Sequence, residues 1–340
     1  MIELNRKEKA LLVTVDVFSQ RTKGISLEDE ANELRELTKT AGLEAAQAEI
    51  CRVDKPSPNL FIGTGKAWDL SLLVSGHNID AAIFSTDLSG TQARNLEEKL
   101  GCKIIDRTQL ILDIFAQHAR GPEGKMQVEL AQLEYLLPRL TGKGTMLSRM
   151  GGGIGARGPG EQKLELDRRI IRSRIGKLKR ELAKARAQRD LLRKKRKTEK
   201  IPLVSLVGYT NAGKTTLLNS LVNEHQLADD SLFTTLDPLS RILILPNHQK
   251  IILSDTVGFL HNLPHHLIEA FKATLEDVRE ADLLIHVLDV SHPLCYSYYE
   301  SVNQALLELE CQGKNIITAL NKIDKIEDQN WIERYKQDFP

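Results

Sequence analysis

Hydrophobic and polar positions along residues 10–120 alternate between two patterns. Continuous β-branched or apolar runs predict buried strands at 10–17, 45–53, 81–84 and 103–105. Apolar residues spaced three or four positions apart predict helices at 27–41, 65–74, 91–100 and 108–118. Strands that alternate with helices are typical of a small parallel sheet covered by helices. The first predicted domain is therefore a parallel α/β domain over residues 1–120.

From Met126 onward the apolar positions follow the spacing of a coiled-coil seam. They recur in two stretches, Met126, Leu130, Leu133, Leu137 and Leu140, and then Leu164, Ile171, Ile175, Leu178, Leu182, Ala185 and Leu192. Each stretch predicts a helix with one narrow apolar stripe, and two such helices bury their stripes by packing antiparallel. Pro138 is expected to kink the first helix near its end. The second predicted domain is thus a helical hairpin over residues 121–200.

The segment that joins the two predicted helices, residues 142–160, is dominated by glycine. Within residues 151–160 Ile154 is the only large apolar side chain, so this part cannot form a core. Glycine lets a backbone approach a partner closely, and Lys143, Arg149 and Arg157 supply cations that attract phosphates. The segment is either a solvated hairpin tip or a nucleic-acid contact.

Charge is distributed very unevenly along the second predicted helix, although the whole chain of 340 residues has a formal net charge of only +1. Lys and Arg crowd residues 168–200, where they outnumber Glu181, Asp190 and Glu199. Pairs within the helix therefore cannot neutralise the cations. A solvated charged face is the simpler explanation, but binding to an RNA backbone accounts better for the excess.

A further strand-and-helix pattern surrounds a glycine-rich turn. Residues 203–207 predict a buried strand and 215–222 a helix, and the stretch that joins them is Gly208-Tyr209-Thr210-Asn211-Ala212-Gly213-Lys214-Thr215. In such a turn backbone N–H groups surround a β-phosphate, Lys214 reaches the β- and γ-phosphates, and the Thr215 hydroxyl ligates Mg²⁺. A chance glycine-rich turn is the alternative, but strand, turn and helix occur in the order that phosphate binding requires.

A second glycine-containing stretch, Phe61-Ile62-Gly63-Thr64-Gly65-Lys66, matches a nucleotide loop less well, because only one residue separates its glycines. It predicts a tight strand-to-helix turn in which Gly63 or Gly65 takes a positive φ. A second triphosphate site is the alternative.

Two stretches after the phosphate loop predict the parts that respond to a γ-phosphate. The first is polar and turn-rich and contains Phe233-Thr234-Thr235-Leu236-Asp237-Pro238. Strands at 241–245 and 250–253, joined by a turn at 246–249, then predict an antiparallel hairpin that ends in Asp255-Thr256-Val257-Gly258. Asp255 can hold Mg²⁺ through water, and Gly258 can offer its backbone N–H to a γ-phosphate.

A third stretch, Asn321-Lys322-Ile323-Asp324, follows buried strands predicted at 282–289 and 315–320. The Asp324 carboxylate can accept hydrogen bonds from both N1–H and N2–H of guanine, a pair of donors that adenine lacks. The spacing of the three stretches after the phosphate loop indicates a GTPase domain over residues 201–340 that binds GTP and GDP.

Composition places the protein in the cytoplasm, with a peripheral position at a membrane left open. The chain has no run of eighteen apolar residues, and its N-terminus has no apolar core of the kind a signal sequence requires. Cys51, Cys102, Cys295 and Cys311 show no metal-ligand spacing and are expected to be reduced thiols.

These motifs together resemble the HflX-type ribosome-associated GTPases, which belong to the translation-factor-related class of P-loop GTPases. The resemblance includes Arg157-Gly158-Pro159-Gly160-Glu161 and the residues Leu164, Glu165, Asp167, Arg168 and Arg169, and it spans most of the chain. It implies a Ras-like GTPase domain, GTP hydrolysis to GDP and phosphate, and binding to the large ribosomal subunit and its rRNA. It further implies separation or rescue of stalled ribosomes under stress. By the same resemblance, Thr215 and Thr235 are the Mg²⁺ ligands, and the glycine-rich tip enters the peptidyl-transferase region. A monomer is expected.

Two features depart from related GTPases. Only residues 325–340 follow the last motif, so the domain is expected to lack a final strand and closing helix. Phe259 stands where Ras-like enzymes place a water-orienting Gln, so hydrolysis should be slow without another component. The residues expected to act in catalysis are Lys214, Thr235, Gly258 and Asn211. Asn211 either ligates K⁺, as in the potassium-stimulated GTPases that the loop resembles, or makes a hydrogen bond within the loop.

Three functions remain open from the sequence. The first is a ribosome-binding GTPase, and the second is an RNA-binding ribosome-assembly adaptor that holds GTP as a structural ligand. A GTP-dependent RNA-modification protein is the third, but no catalytic cysteine or cofactor motif accompanies the GTPase motifs.

Overall fold

A computed structural model describes residues 6–18, 26–140, 159–222, 232–233, 239–261, 275–328 and 330–339. The chain forms two compact units, one containing Met1–Gln117 and Val128–Glu181 and the other containing His118–Gln127 and Leu182–Pro340. Most of the glycine-rich segment, residues 141–158, lies outside the described residues, as do residues 234–238. Within the described residues, no helix is both long enough and apolar enough to cross a bilayer.

The first unit is built on a parallel four-stranded sheet in the order β2-β1-β3-β4. Its strands are β1 Lys9–Val17, β2 Glu44–Val53, β3 Ala81–Phe84 and β4 Lys103–Ile105. The helices between and after them are α1 Leu27–Thr40, α2 Thr64–His77, α3 Gly90–Leu100 and α4 Arg107–His118. Strand β1 is buried along almost its whole length, as a central strand covered on both faces must be. The predicted parallel α/β fold is confirmed, and the domain bounds of 1–120 stay a prediction.

Side-chain caps explain where two of these helices begin. Ser26 precedes α1, and its hydroxyl accepts from the Asp29 N–H while the Asp29 side chain accepts from the Ser26 N–H. Ser89 and Gln92 make the same reciprocal pair at the start of α3. Each pair satisfies backbone donors that the first turn of a helix leaves free.

The prediction that Gly63 or Gly65 takes a positive φ was wrong. Neither glycine has a positive φ, and Phe61 instead has φ of 65°. Two backbone hydrogen bonds between Ser57 and Phe61, 2.8 and 2.9 Å long, close the preceding loop and hold Phe61 in this strained conformation. Gly63 can therefore serve as the extended N-cap of α2, with φ of −69°.

Two long helices follow, α5 Pro122–Arg139 and α6 Pro159–Thr198. In the first unit Arg174 of α6 donates two bonds of 2.6 Å to the Glu129 carboxylate of α5. Lys179 and Glu134 form a second pair at 2.7 Å. Leu178, from the predicted apolar stripe, is fully buried. Pro138 lies inside α5, which continues to Arg139.

A buried polar network joins the end of α5 to the α/β sheet in the first unit. The Asp106 carboxylate follows β4, and its side chain is only 2% exposed. It accepts hydrogen bonds from the Tyr135 hydroxyl, from Arg139 at 3.1 Å and from the backbone of Leu88 at 3.2 Å. The Arg139 guanidinium also lies 3.4 Å from the centre of the Tyr135 ring. These contacts hold the last turn of α5 just before the glycine-rich segment.

The second unit contains a five-stranded sheet in the order β6-β7-β5-β8-β9. The strands are β5 Leu203–Val207, β6 Leu239–Ile244, β7 Lys250–Asp255, β8 Leu283–Asp289 and β9 Asn315–Asn321. Only the β6–β7 pair is antiparallel among the described pairs, and its turn is closed by bonds between Leu245 and Gln249 and between Leu245 and His248. The predicted hairpin and the strand at 315–320 are confirmed.

Helices of the second unit are α7 Lys214–Val222, α8 Glu276–Glu280, α9 Cys295–Glu308 and α10 Asn330–Asp338, with a 3₁₀ turn at Ile323–Lys325. Strand β9 is at the edge of the sheet in the described part of the chain, and its Ile317 side chain is 54% exposed. Phe339 follows α10 and packs with Leu288, Val290 and Cys295. All four cysteines are free thiols, as expected.

Replacing Tyr135 by Phe should destabilise the first unit by about 1–2 kcal/mol, because a buried carboxylate loses a donor. Tyr296→Phe is the matched control, since that hydroxyl donates to Asp338 at an exposed position and its loss should cost less than about 0.5 kcal/mol. Urea unfolding of both variants measures the difference. Equal effects would show that the Asp106 network does not stabilise the unit.

Candidate nucleotide-binding site

Close backbone approaches shape the turn between β5 and α7. A Cβ atom at Gly208 would overlap the Val287 carbonyl oxygen of β8, and one at Gly213 would overlap the Asn321 side chain. Gly213 also has φ of 95°, and Asn211 has φ of 58°. The two glycines of the motif are therefore required by the packing of this turn.

Lys214 lies at the first position of α7 and is almost completely buried. Its ammonium donates to the carbonyl oxygens of Gly208 and Tyr209 at 3.2 and 2.9 Å. Burial lowers the pKa of Lys214 to about 8, and the nearby Asp255 partly opposes that shift. An anionic phosphate placed in this turn would favour the charged form of the side chain and compete with the two carbonyls.

Two oxygen donors meet where α7 faces the end of β7. The Thr215 hydroxyl donates to Asp255 at 2.6 Å, and Asp255 is the last residue of β7 and fully buried. A hydroxyl and a carboxylate side by side are hard ligands of the kind that Mg²⁺ prefers. The residues present thus fit the metal that the motif implies. Thr235, the other predicted ligand, lies outside the described residues.

The segment after β7 lies directly against the phosphate loop. The Thr210 N–H donates to the Phe259 carbonyl at 2.8 Å, and the Phe259 N–H donates to the Gly208 carbonyl at 3.1 Å. A Cβ at Gly258 would lie 2.6 Å from the Thr210 Cα and 3.0 Å from the Lys214 Nζ. Gly258 therefore lies beside Lys214 and the phosphate loop, and its role in sensing a phosphate stays a prediction. The buried Phe259 ring cannot orient water.

The other predicted residues around the phosphate loop are partly placed. Thr256 donates to the Leu206 carbonyl at 2.6 Å, and Val257 is buried. The Phe233 N–H donates to the Thr210 hydroxyl at 3.1 Å, so the turn-rich stretch begins at the phosphate loop. Its other predicted site residues, Thr234 to Asp237, lie outside the described residues.

The base-recognition stretch is tied to the same loop. Asn321 donates to the Ala212 carbonyl at 2.8 Å, and Lys322 donates to the Asn211 carbonyl at 3.0 Å. Ile323 and Asp324 occupy the following 3₁₀ turn, where both are exposed. The structure thus brings together the phosphate loop and the residues predicted to read guanine.

Asp289 is a residue of this site that sequence reasoning missed. It is the last residue of β8 and stands opposite Asn321 in the register of β8 and β9. Its carboxylate pairs with Lys322 at 2.7 Å and accepts from the Ser291 hydroxyl at 2.6 Å. A lone Asp after an apolar strand could have indicated a group at the carboxyl edge of the sheet.

Aromatic and histidine side chains pack in and beside the phosphate loop, and sequence reasoning missed these as well. The rings of Tyr209 and Tyr298 stack with centres 3.8 Å apart, and the Tyr209 hydroxyl accepts from the backbone N–H of His261 at 3.0 Å. His286 on β8 is fully buried and stacks on Tyr299. Neither of its ring nitrogens has a hydrogen-bond partner among the described residues. Burial lowers the pKa of His286 to about 4, and the charge of Lys214 acts in the same direction.

Comparison with known proteins shows similarity over nearly the whole chain. Three family models match successive parts of it: a GTP-binding GTPase N-terminal region at 28–116, a GTP-binding GTPase middle region at 118–196, and a 50S ribosome-binding GTPase at 203–322. The protein named GTPase HflX of Caldanaerobacter subterraneus subsp. tengcongensis is 49% identical over 328 residues, which cover 96% of this chain and 75% of that protein. The chain belongs to the HflX GTPase family.

Another HflX relative and a solved structure are also similar to this chain over most of its length. GTPase HflX of Escherichia coli K12 is 43% identical over 334 residues, which cover 98% of this chain and 77% of that protein. The crystal structure of SsGBP in complex with GDP matches with a TM-score of 0.53 and 26% identity, over 97% of this chain and 89% of that one. The present chain is accordingly a mixed α/β P-loop GTPase that binds guanine nucleotide and hydrolyses GTP.

The buried histidine makes a specific prediction about acid stability. Because its pKa is lower in the folded than in the unfolded protein, the stability due to neutral His286 is complete above pH 6.5 and lost as the pH falls through about 4. His286→Phe keeps a ring against Tyr299 and removes this loss, which amounts to about 3 kcal/mol. Unfolding free energies from pH 7 to 4 should therefore fall more steeply for wild type than for the variant.

The control for histidine loss is His248→Asn, at the exposed hairpin turn, which should leave the wild-type pH slope unchanged. Identical slopes for His286→Phe and wild type would mean that the buried ring titrates normally.

The Asp289–Lys322 pair predicts an effect on nucleotide affinity. Asp289→Ala removes the anion that holds Lys322 on the phosphate loop, so the adjoining turn with Asp324 should lose its fixed position. We expect GDP affinity to fall about ten-fold, the loss typical of one charge-assisted hydrogen bond. Calorimetric titration measures it, with the exposed Asp328→Ala as control. Equal affinities in the two variants would contradict this role of Asp289.

Proposed function

We propose that this protein associates with the large ribosomal subunit through rRNA in a manner set by its bound nucleotide, and separates or rescues stalled ribosomes under stress. The observation that carries the proposal is the match of residues 203–322 to the model described as a 50S ribosome-binding GTPase, inside a chain that matches HflX over 96% of its length. From this match of one domain we infer the role of the whole protein in the cell.

Helix α6 supports a contact with RNA. Exposed cations follow one another along the described part of this helix, namely Arg169, Arg180, Lys184 and Lys194. Such a row suits a phosphate backbone, and its binding would weaken with salt as counterions are released. The glycine-rich segment that precedes the helix is proposed to approach the RNA most closely.

The GTPase site is proposed to work by positioning and charge. Gly208 to Thr215 surround the phosphates, with Lys214 at the β- and γ-phosphates and Gly258 reading the γ-phosphate. Asn321 to Asp324 hold guanine, and Phe233 to Asp237 complete the nucleotide contacts. Thr215 and Thr235 would hold Mg²⁺, with Asp255 acting through water, and a bound Mg²⁺ would neutralise charge on the phosphate oxygens.

Water must be oriented by a component other than Phe259, whose ring is buried. The ribosome is the proposed source of that help, so hydrolysis accelerates on the large subunit. Asn211 is proposed either to ligate K⁺ or to act only within the loop, where its backbone carbonyl already accepts from Lys322. Replacing Na⁺ by K⁺ in a turnover assay separates the two roles, since equal rates exclude the ion.

The decisive experiment combines co-sedimentation with turnover. We expect more protein to sediment with isolated large subunits in a non-hydrolysable GTP analogue than in GDP, and GTP turnover to rise at least ten-fold when subunits are added. Lys214→Ala should lose triphosphate binding and retain residual RNA binding. Unchanged turnover on subunits would favour the alternative, an RNA-binding assembly adaptor that holds GTP as a structural ligand.

A further inference from the structure

Three arginines on one face of α6 converge on a single carboxylate of the second unit. Arg186, Arg189 and Arg193 are three and four residues apart, the spacing that aligns side chains on a helix. Their guanidinium groups lie 3.0, 3.4 and 3.0 Å from the carboxylate oxygens of Glu276. Arg189 also pairs with Glu123 of α5 at 2.7 Å, a shorter distance than its distance to Glu276. Cations that were predicted to face RNA or solvent thus contact the GTPase core.

Burial makes this cluster different from a surface ion pair. The side chain of Glu276 is 8% exposed and that of Arg193 is 12% exposed. A guanidinium and a carboxylate withdrawn from water depend on each other, because either one left alone would be a buried, uncompensated charge. Exposed pairs, by contrast, contribute little. Glu276 is consequently the group on which the attachment of this end of α6 depends.

The helix that carries Glu276 is also bonded to the strands of the phosphate site. Asp277 lies 3.6 Å from Arg193, and its carboxylate accepts from the Ser254 hydroxyl at 3.2 Å. Its backbone carbonyl accepts from the Ser205 hydroxyl of β5 at 3.0 Å. Ser254 directly precedes Asp255, which accepts from Thr215. Polar contacts therefore run from Thr215 and Asp255 to α6, with the peptide bond between Ser254 and Asp255 as the one covalent step.

We propose that Glu276 is the positioning residue that attaches the basic helix α6 to the GTPase core, and that this attachment makes ribosome binding depend on the nucleotide. The inference rests on the proposed function, which supplies the ribosome as partner. It assigns Arg186, Arg189 and Arg193 an intramolecular role and leaves the exposed cations of α6 to the RNA.

The test uses the full chain with Glu276→Gln, which keeps the shape of the side chain and removes its charge. The matched control is Glu310→Gln, because Glu310 pairs with Arg279 of the same helix α8 at 2.8 Å but is 75% exposed. Both variants should bind GDP within two-fold of wild type. The measured quantity is the ratio of large-subunit affinities in GTP analogue and in GDP.

We expect that ratio to fall at least five-fold toward one in Glu276→Gln and to stay at the wild-type value in Glu310→Gln. A folded Glu276→Gln variant with the wild-type ratio would overturn the inference. If Glu276→Gln does not fold, Arg193→Lys decides, because it keeps the charge of a side chain that is 12% exposed but loses the guanidinium that lies 3.0 Å from Glu276 and 3.6 Å from Asp277. A reduced ratio in Arg193→Lys supports the inference, and an unchanged one overturns it.

The outcome for wild type separates the two proposals. A wild-type protein that binds large subunits equally in GTP analogue and GDP contradicts the proposed function itself. A wild-type protein that discriminates, together with a Glu276→Gln variant that discriminates equally well, contradicts only the role of Glu276.

Discussion

The nucleotide site depends on three glycines, each at a position where an added Cβ atom would overlap a neighbouring group. Gly208 lies against β8, Gly213 lies against Asn321, and Gly258 lies against Thr210. These approaches bring the ends of β5, β7, β8 and β9 into contact around one turn. The residues predicted to bind phosphate, metal and base are therefore held together by this packing, against backbone at Gly208 and Gly258 and against the Asn321 side chain at Gly213. A larger residue at any of the three positions would disrupt it.

The same packing connects the nucleotide site with the rest of the second unit. Strand β7 carries Asp255 at its end and Ser254 one residue earlier, so one strand contacts both Thr215 and helix α8. Helix α8 in turn holds Arg193 through Glu276. The basic helix consequently has two kinds of cation: arginines neutralised by buried carboxylates, and exposed residues suited to a polyanion. The net charge counted along the helix does not distinguish these two kinds of cation.

Local patterns predicted the elements well because each depends on neighbours in sequence. In the part of the chain that the structure describes, all nine strands and the phosphate loop follow from apolar runs and glycine spacing. The misses have distant causes: Asp289, His286 and Tyr298 belong to no motif, and Glu276 meets arginines more than eighty residues away. Phe61 adopts the positive φ expected of a glycine because two bonds to Ser57 hold it there. Packing decided these features, and no short stretch of sequence records it.

We infer that the phosphate site and helix α6 are coupled within the second unit. Amide hydrogen exchange of the free protein, compared between GDP and a GTP analogue, measures this coupling. We expect protection to change at 182–198 and 276–280 together with residues 256–261. A change confined to the phosphate loop and residues 256–261, with α6 unaffected, would rule the coupling out.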